Sequence, residues 1–130
     1  MPVTVARDAN VFILRAEGTY TAAEMIRAFD GILATPGFPG GAAILLDVRR
    51  SESVLSRPVA EMRAITGHFE RHAARFGNRV GLLVDGGARY GLMRMASAWV
   101  GMRGIQARVD TDPAPLIRWL KGTAAEPAGP

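Results

Sequence analysis

Polar side chains that could contact a ligand follow the central strands that the sequence predicts. Ligands of open parallel sheets bind beyond the carboxyl ends of the strands, and neighbouring strands lie about 4.8 Å apart, so these side chains are expected to meet at one edge. The residues of this predicted polar edge are Asp47, Arg49, Arg50, Ser51 and Ser53 after one strand, Asp85, Arg89 and Tyr90 after the next, and Asp110 and Thr111 after the last. We predict that they form a shared ligand or partner edge. The alternative is that Asp47 and Asp85 pair with nearby arginines or cap turns.

The segment from Asp85 to Arg89, with the sequence DGGAR, offers a second kind of chemistry. Two glycines before a helix can expose backbone amides to an anion, and Arg89 could add a bidentate contact to that anion. The segment matches neither the GxGxxG pattern nor the phosphate loop with its lysine. A tight strand-to-helix turn is the alternative explanation for the two glycines.

Catalytic and metal chemistry have few candidate residues. The chain has no cysteine, which excludes thiolate catalysis, disulfides and cysteine-bound metals. Both histidines, His68 and His72, lie within a predicted helix rather than beside the serines of the polar edge, and no GxSxG elbow is present. Their i, i+4 spacing places them on one side of that helix, but HExxH is absent, and Arg71 and Arg75 would repel a cation. We therefore expect no catalytic residue, no metal site and no cofactor.

A predicted helix over residues 88–103 has a broad apolar surface. Apolar side chains cover about half of its circumference, which is more than packing on one face of a sheet normally needs. Methionine suits adaptable contact surfaces. We predict that Leu92, Met95, Trp99 and Met102 form a dimer or partner interface, or the wall of an apolar ligand cavity. The alternative is a helix packed between the sheet and its neighbours.

Alternating strands and helices must position these candidate residues. Apolar runs predict strands, and capping residues followed by a 3.6-residue period predict helices. The capping residues are Thr21 and Glu24, which form a capping-box pattern, and Asp112 before Pro113. The predicted strands are 3–6, 11–16, 42–48, 79–84 and 105–109, and the predicted helices are 21–34, 58–76, 88–103 and 112–120. Strands separated by helices of this length are expected to be parallel, with the first strand antiparallel at an edge. The predicted fold class is α/β, with one small, mixed, mostly parallel five-stranded sheet and crossover helices.

Length and composition fit one globular domain. The chain has 130 residues, of which 48% are hydrophobic, and domains commonly hold roughly 100–150 residues. We predict a single domain at 1–121 and a disordered tail at 122–130, which is small, polar and proline-containing. No apolar run approaches the roughly 20 residues of a membrane-spanning helix, and the N-terminus lacks the pattern of a signal peptide. A cytoplasmic protein is therefore expected.

The positive charge of the chain comes almost entirely from arginine. Fifteen arginines and one lysine, Lys121, give a formal net charge of +4. The arginines are scattered from Arg7 to Arg118 with acidic residues among them, whereas a nucleic-acid binder gathers its basic residues on one face. This distribution argues against a nucleic-acid partner.

Three segments, through their order and spacing, point to a known family. They are AILLDVR at 43–49 followed by Ser51, RYGLMRM at 89–95, and Arg108-Val109 leading through Asp112 to Trp119-Leu120. In this arrangement the chain resembles the SpoIIAA-like domains, a group of STAS-like and Sec14-like bacterial proteins whose role is largely unassigned. The resemblance covers nearly the whole chain up to Leu120.

Two departures limit what the resemblance implies. After Arg108-Val109 the family tends to place an aromatic residue, where this chain has Asp110. The anti-sigma-factor antagonists, similar in fold, carry an Asp-Ser or Ser-Ser pair directly after the strand, whereas Val48, Arg49 and Arg50 separate Asp47 from Ser51. This separation argues against a phosphorylation switch of their kind. The resemblance implies the fold and favours binding over catalysis.

Three functional hypotheses follow. The first is a non-catalytic protein-interaction or regulatory module that binds a protein partner, or itself as a homodimer, through the 88–103 helix and the polar edge. The second is a carrier of a small apolar or lipid-like molecule, suggested by the same broad apolar surface and by the Sec14-like resemblance. An enzyme acting from the polar edge is the third.

Overall fold

Five strands form one mixed sheet, and helices pack on both of its faces. The structure, a computed structural model, describes residues 3–35, 42–51, 59–72, 79–87, 91 and 105–122. Within these residues the strands are β1 (Val3–Asp8), β2 (Val11–Gly18), β3 (Ala43–Ser51), β4 (Arg79–Leu83) and β5 (Gln106–Asp110). The helices are α1 (Ala22–Leu33), α2 (Val59–Arg71) and α3 (Pro113–Lys121).

The first two strands form a hairpin at one edge of the sheet. β1 pairs antiparallel with β2 up to the pair Asp8–Val11, so the connecting turn is Ala9-Asn10. Ala9 has a φ of 55°, which is uncommon for a residue with a side chain, and Arg7 Nε donates to its carbonyl oxygen at 2.8 Å. The predicted antiparallel edge strand is confirmed, although each strand of the hairpin runs two residues beyond its predicted end.

The remaining strand pairs are all parallel, and the sheet order is the chain order, β1-β2-β3-β4-β5. Leu46 at the centre of β3 aligns with Leu14 of β2 and Leu82 of β4. The predicted mostly parallel α/β sheet is therefore confirmed. Because β2 to β5 run in the same direction, their carboxyl ends lie along one edge, which we call the carboxyl edge.

Alternation along the strands sends apolar side chains to both faces of the sheet. The larger core lies between the sheet and α1 and α2, and its buried residues include Leu14, Ile44, Leu46, Val80, Phe29 and Phe69. The smaller core lies under α3 and consists of Val11, Ala43, Leu45, Leu83, Leu116 and Leu120. We call these two sides the α1–α2 face and the α3 face.

Helix α3 packs closely against Gly81 of β4. A Cβ at this position would lie 2.9 Å from Leu120 Cδ1 and 3.0 Å from Leu116 Cδ1. The end of α3 is also tied to the hairpin, because Lys121 Nζ lies 3.0 Å from Asp8 Oδ1. The absence of a side chain at Gly81 therefore allows the leucines of α3 to contact β4 directly.

The helix ends carry the capping groups that the sequence predicts. Thr21 Oγ1 accepts from the Glu24 amide at 3.0 Å, and Glu24 Oε1 accepts from the Thr21 amide at 2.8 Å, which completes the predicted capping box of α1. Asp112 caps α3 through the amide of Ala114 at 3.1 Å. Gly122 ends α3 with a φ of 80°.

Strand β3 is longer than predicted. The sequence placed its end at Val48 and a polar loop from Arg49 onward, but the strand continues to Ser51. Pairing with β2 explains the extension, because Glu17 aligns with Arg50 and Gly18 with Ser51 after a register shift that leaves one extra residue in β3. Arg49, Arg50 and Ser51 are therefore strand residues, and the prediction that they lie in a loop is wrong.

Several predicted features fall outside the described residues. These are most of the 88–103 helix, residues 73–76 of the helix predicted at 58–76, and the predicted disordered tail beyond Gly122. In the described part of the chain, no helix is long and apolar enough to cross a membrane.

Candidate functional site

Asp47 is a buried carboxylate near the carboxyl edge. Strand alternation places it on the α3 face, two residues beyond Leu45, which is the last β3 residue of the smaller core. Its aligned neighbours are Arg15 on β2 and Leu83 on β4. A buried carboxylate is costly unless it is paired, so its partners determine what it does.

Two arginines hold the Asp47 carboxylate. Arg49 donates to Oδ1 from Nε at 3.1 Å and to Oδ2 from Nη2 at 2.9 Å, which is a bidentate contact, and the Arg49 amide donates to Oδ1 at 3.2 Å. Arg15 Nε donates to Oδ2 at 3.3 Å across the strand pair. Both carboxylate oxygens are therefore saturated.

The charge of Asp47 follows from this pairing. Burial acts to raise the pKa of Asp47, but the hydrogen bonds from the Arg49 side chain and amide and from Arg15 outweigh it and lower the pKa below its usual value. The hydrogen bond to Asp47 in turn raises the pKa of Arg49. Asp47 is ionised at neutral pH, and it orients the guanidinium groups of Arg15 and Arg49 instead of acting as a proton acceptor.

The guanidinium groups border an open cleft, which we call the arginine cleft. Its volume is about 260 Å³, and it is lined by Arg15, Ala16, Glu17, Asp47, Arg49 and Arg50. The side chains of Arg15 and Arg49 are 47% and 39% exposed. The lining thus contains three guanidinium groups and two carboxylates, those of Glu17 and Asp47. Each guanidinium carries five N–H donors, more than the contacts with Asp47 use, and carboxylates and phosphates match this donor geometry.

Sequence reasoning found part of this cleft. Asp47, Arg49 and Arg50 belong to the predicted polar edge, and they line the cleft together. Arg15 was missed because it lies within a predicted strand instead of after one. The available signal was a charged residue inside an apolar strand, which in a parallel sheet can face a carboxylate on the next strand.

Ser51 is not part of the cleft lining in the described structure. Its side chain is fully buried, and its hydroxyl donates to the Tyr20 hydroxyl at 3.0 Å. Tyr20, between β2 and α1, is also buried. The pair joins the carboxyl end of β3 to the start of α1, and the Ser51 hydroxyl is turned into the protein.

The other strand ends reach the same edge with different roles. Asp85 is exposed and follows β4 two residues after Leu83, the aligned partner of Asp47, so the two aspartates lie at the same end of the sheet. Gly86 and Gly87 have φ values of 95° and 62°, which glycine adopts without strain and which are compatible with the tight-turn alternative. Asp110 caps the turn into α3 by accepting from the Thr111 amide at 2.7 Å.

Seven predicted site residues cannot be placed in this geometry. Ser53, Arg89 and Tyr90 of the polar edge, and Leu92, Met95, Trp99 and Met102 of the apolar surface, all lie outside the described residues.

A second polar cluster lies on the α1–α2 face, where sequence reasoning placed only two histidines. Asp30 of α1 brings a carboxylate to His68 and His72, and one ligand atom from each residue lies within 4.8 Å of the others. His68 Nε2 is 2.6 Å from Asp30 Oδ1. Asp30 was missed because it belongs to a different helix, and no local pattern links it to the histidines.

An apolar groove separates β1 from α1. It has a volume of about 480 Å³, and its lining includes Val3, Val5, Arg27, Ala28, Gly31 and Ile32. Val5 is 50% exposed, which is high for a large apolar side chain. Sequence reasoning did not predict this groove, because it depends on how far α1 stands from the edge strand.

Comparison with known proteins supports the fold. No protein-family model matches the chain, and no curated protein sequence matches it. Among solved structures, it is similar to an uncharacterised protein of the DUF3478 family with a SpoIIAA-like fold from Shewanella loihica PV-4. The TM-score is 0.61 at 15% sequence identity, and the match covers 91% of each chain. The fold is therefore SpoIIAA-like, as the sequence resemblance predicts.

Proposed function

We propose that this protein is a non-catalytic interaction module that binds an acidic segment of a partner protein through the arginine cleft. The observation that carries the proposal is the buried Asp47, which holds Arg15 and Arg49 at fixed positions beside an open cleft. Fixed guanidinium groups lose little conformational freedom when they bind an anion. The ligand chemistry is a carboxylate or a phosphate.

The lining of the cleft favours binding over catalysis. Its six described lining residues include no histidine and no hydroxyl or thiol nucleophile. Nucleophilic catalysis needs a nucleophile and a base within hydrogen-bonding reach. Asp47 is a weak base because hydrogen bonds from the Arg49 side chain, the Arg49 amide and Arg15 lower its pKa. Recognition of an anionic partner group needs only the donors that the arginines supply.

The partner can be sought by photo-crosslinking in cells of the native host. A photo-reactive amino acid in place of Glu17, an exposed residue of the cleft, should form a discrete adduct with a partner protein. The adduct should be lost when Arg15→Gln and Arg49→Gln are added. Arg27→Gln, which removes an exposed arginine on the α1–α2 face, should leave it unchanged. An adduct that persists at full yield in the double variant, or no adduct at all, would contradict the proposal.

Titration of the purified full chain shows whether the anionic group that it binds is a carboxylate or a phosphate. A glutamate-rich peptide and a phosphoserine peptide of equal length separate carboxylate from phosphate recognition. Binding of either peptide should weaken in Arg15→Gln and not in Arg27→Gln. Thermal unfolding of each variant confirms that the fold is retained.

A second candidate function is that of a carrier for a small apolar or lipid-like molecule, and the groove between β1 and α1 favours it. Most of the groove surface is apolar, although Glu24, Arg27 and Thr35 also line it, and Val5 in its lining is half-exposed. Native mass spectrometry of the freshly purified protein distinguishes the candidates. A carrier retains a small molecule, a self-associating module has a dimer mass, and a partner-binding module is a bare monomer.

A further inference from the structure

Three potential metal ligands meet where α1 packs against α2. His68 lies in the last turn of α2, and His72 directly follows the end of this helix, so their rings lie close together, with centroids 4.7 Å apart. Asp30 projects from α1, and its Oδ1 is 2.6 Å from His68 Nε2. The ligand atoms of all three residues lie within 4.8 Å of one another, a spacing that small adjustments of the rings can close around one ion.

We propose that Asp30, His68 and His72 form a binding site for a divalent transition-metal ion, with Zn²⁺ as the expected occupant. Two imidazole nitrogens and one carboxylate oxygen are a ligand set used by zinc, which keeps a fourth position for water in open sites. Cobalt, nickel and copper accept the same ligands, whereas magnesium and calcium prefer oxygen alone. This site lies on the α1–α2 face and is independent of the arginine cleft.

The surroundings orient the ligands. Phe29 lies beneath the cluster, with its ring centroid 5.6 Å from that of His68 and 6.1 Å from that of His72. The His68 side chain is only 14% exposed, whereas that of Asp30 is 52% exposed. The cluster therefore has an aromatic floor and an open outer side, where water can complete the coordination of a bound ion.

Arg71 is the group that opposes metal binding. Its Nη2 lies 3.4 Å from His68 Nδ1, on the same helix. A donor at Nδ1 favours the tautomer with its proton on Nε2, which then donates to Asp30. A metal at Nε2 needs the other tautomer, so Arg71 must move away, as its exposed side chain permits. Removing Arg71 should therefore strengthen binding, an effect that unspecific binding to surface groups does not predict.

The test is isothermal titration of the full, tag-free chain with ZnCl₂ near neutral pH, after removal of metals by a chelator. We expect one zinc per chain. His72→Gln and Asp30→Asn should each weaken binding by roughly 10–100-fold or more. Arg71→Gln should tighten it several-fold. Glu61→Gln, which removes an exposed carboxylate from the same helix outside the cluster, is the matched control and should bind as the unaltered chain does.

Thermal unfolding provides the second measurement. Zinc should raise the Tm of the unaltered chain, because a ligand that binds only the folded state stabilises it. The same zinc concentration should leave the Tm of His72→Gln nearly unchanged, and Tm values in chelator show whether the variants fold. The proposal is overturned if binding does not saturate at millimolar zinc, or if His72→Gln binds zinc as tightly as the unaltered chain.

Discussion

The two faces of the sheet each place an aspartate beside two basic side chains, but the surroundings give the two clusters different chemistry. On the α3 face, Asp47 is buried and hydrogen-bonded to the two arginines of the cleft. On the α1–α2 face, Asp30 is about half-exposed and meets two histidines. Arginine stays protonated under all ordinary conditions, whereas histidine can be neutral and act as a metal ligand.

The comparison shows that burial determines the role of each carboxylate. A buried carboxylate must be saturated by partners, because an unpaired one is costly. Asp47 therefore serves to hold its arginines, and any ligand must bind their remaining donors. Asp30 keeps its contact with solvent and remains available as a ligand itself. The two clusters can be tested against each other by equivalent substitutions.

The largest difference is expected between Asp47→Asn and Asp30→Asn. The first removes the charge that pairs with Arg15 and Arg49 and should lower the free energy of unfolding by about 2 kcal/mol, since hydrogen bonds between charged groups contribute roughly 1.5–3 kcal/mol. The second removes an exposed contact and should change it by no more than about 0.5 kcal/mol. Urea unfolding of both variants measures the difference, and equal losses would show that burial does not separate the two sites.

The two faces should also respond differently to a glycine-to-alanine substitution, because they differ in the space beside the glycine. Gly81→Ala places a methyl group against Leu116 and Leu120 and should destabilise the protein by about 1–2 kcal/mol through overpacking. Gly31→Ala, at an exposed position of α1 with no atom within 4 Å of its added Cβ, should stabilise it by about 0.5–1 kcal/mol. Thermal unfolding of both variants provides the comparison. A neutral Gly81→Ala would mean that α3 can move away from β4 at little cost.

The smallest expected effect is on the pH dependence of stability, through Asp47 on the α3 face. The pKa of Asp47 is lower in the folded protein than its usual value of 3.8. Its pairing therefore stabilises the fold above about pH 4, and this contribution is lost as the pH falls through the lowered pKa of the folded state. Urea midpoints measured from about pH 7 to pH 3 should fall less in Asp47→Asn than in the unaltered chain. Parallel pH curves for the two proteins would contradict the assignment.

Most of the fold could be predicted because its signals are local. The capping box of Thr21 and Glu24 and the alternating apolar strands need no knowledge of distant residues. The end of β3 could not be predicted, because Arg49, Arg50 and Ser51 are typical of a loop and only pairing with β2 keeps them extended. The parallel direction of β2 to β5 followed from the alternation of strands and helices.

The candidate sites were less predictable because each joins separate elements. Asp47 was recognised by its place near the end of a buried strand, but its partner Arg15 lies 32 positions earlier in the chain. Asp30 and His68 are 38 positions apart, and their contact depends on how α1 packs against α2. The spacing of the histidines indicated that their side chains lie on one side of the helix. Asp30 could be identified as the third ligand only from the packing of α1 against α2.

The ion pair between Lys121 and Asp8 gives this protein a built-in chemical reporter. Lys121 is the only lysine of the chain, so an amine-acylating reagent has a single side-chain target besides the terminal amine. The ammonium group lies 3.0 Å from Asp8 Oδ1 on the hairpin, and this contact shields it in part from the reagent. The rate at which Lys121 is acylated therefore reports how often this ion pair opens, without any engineered label.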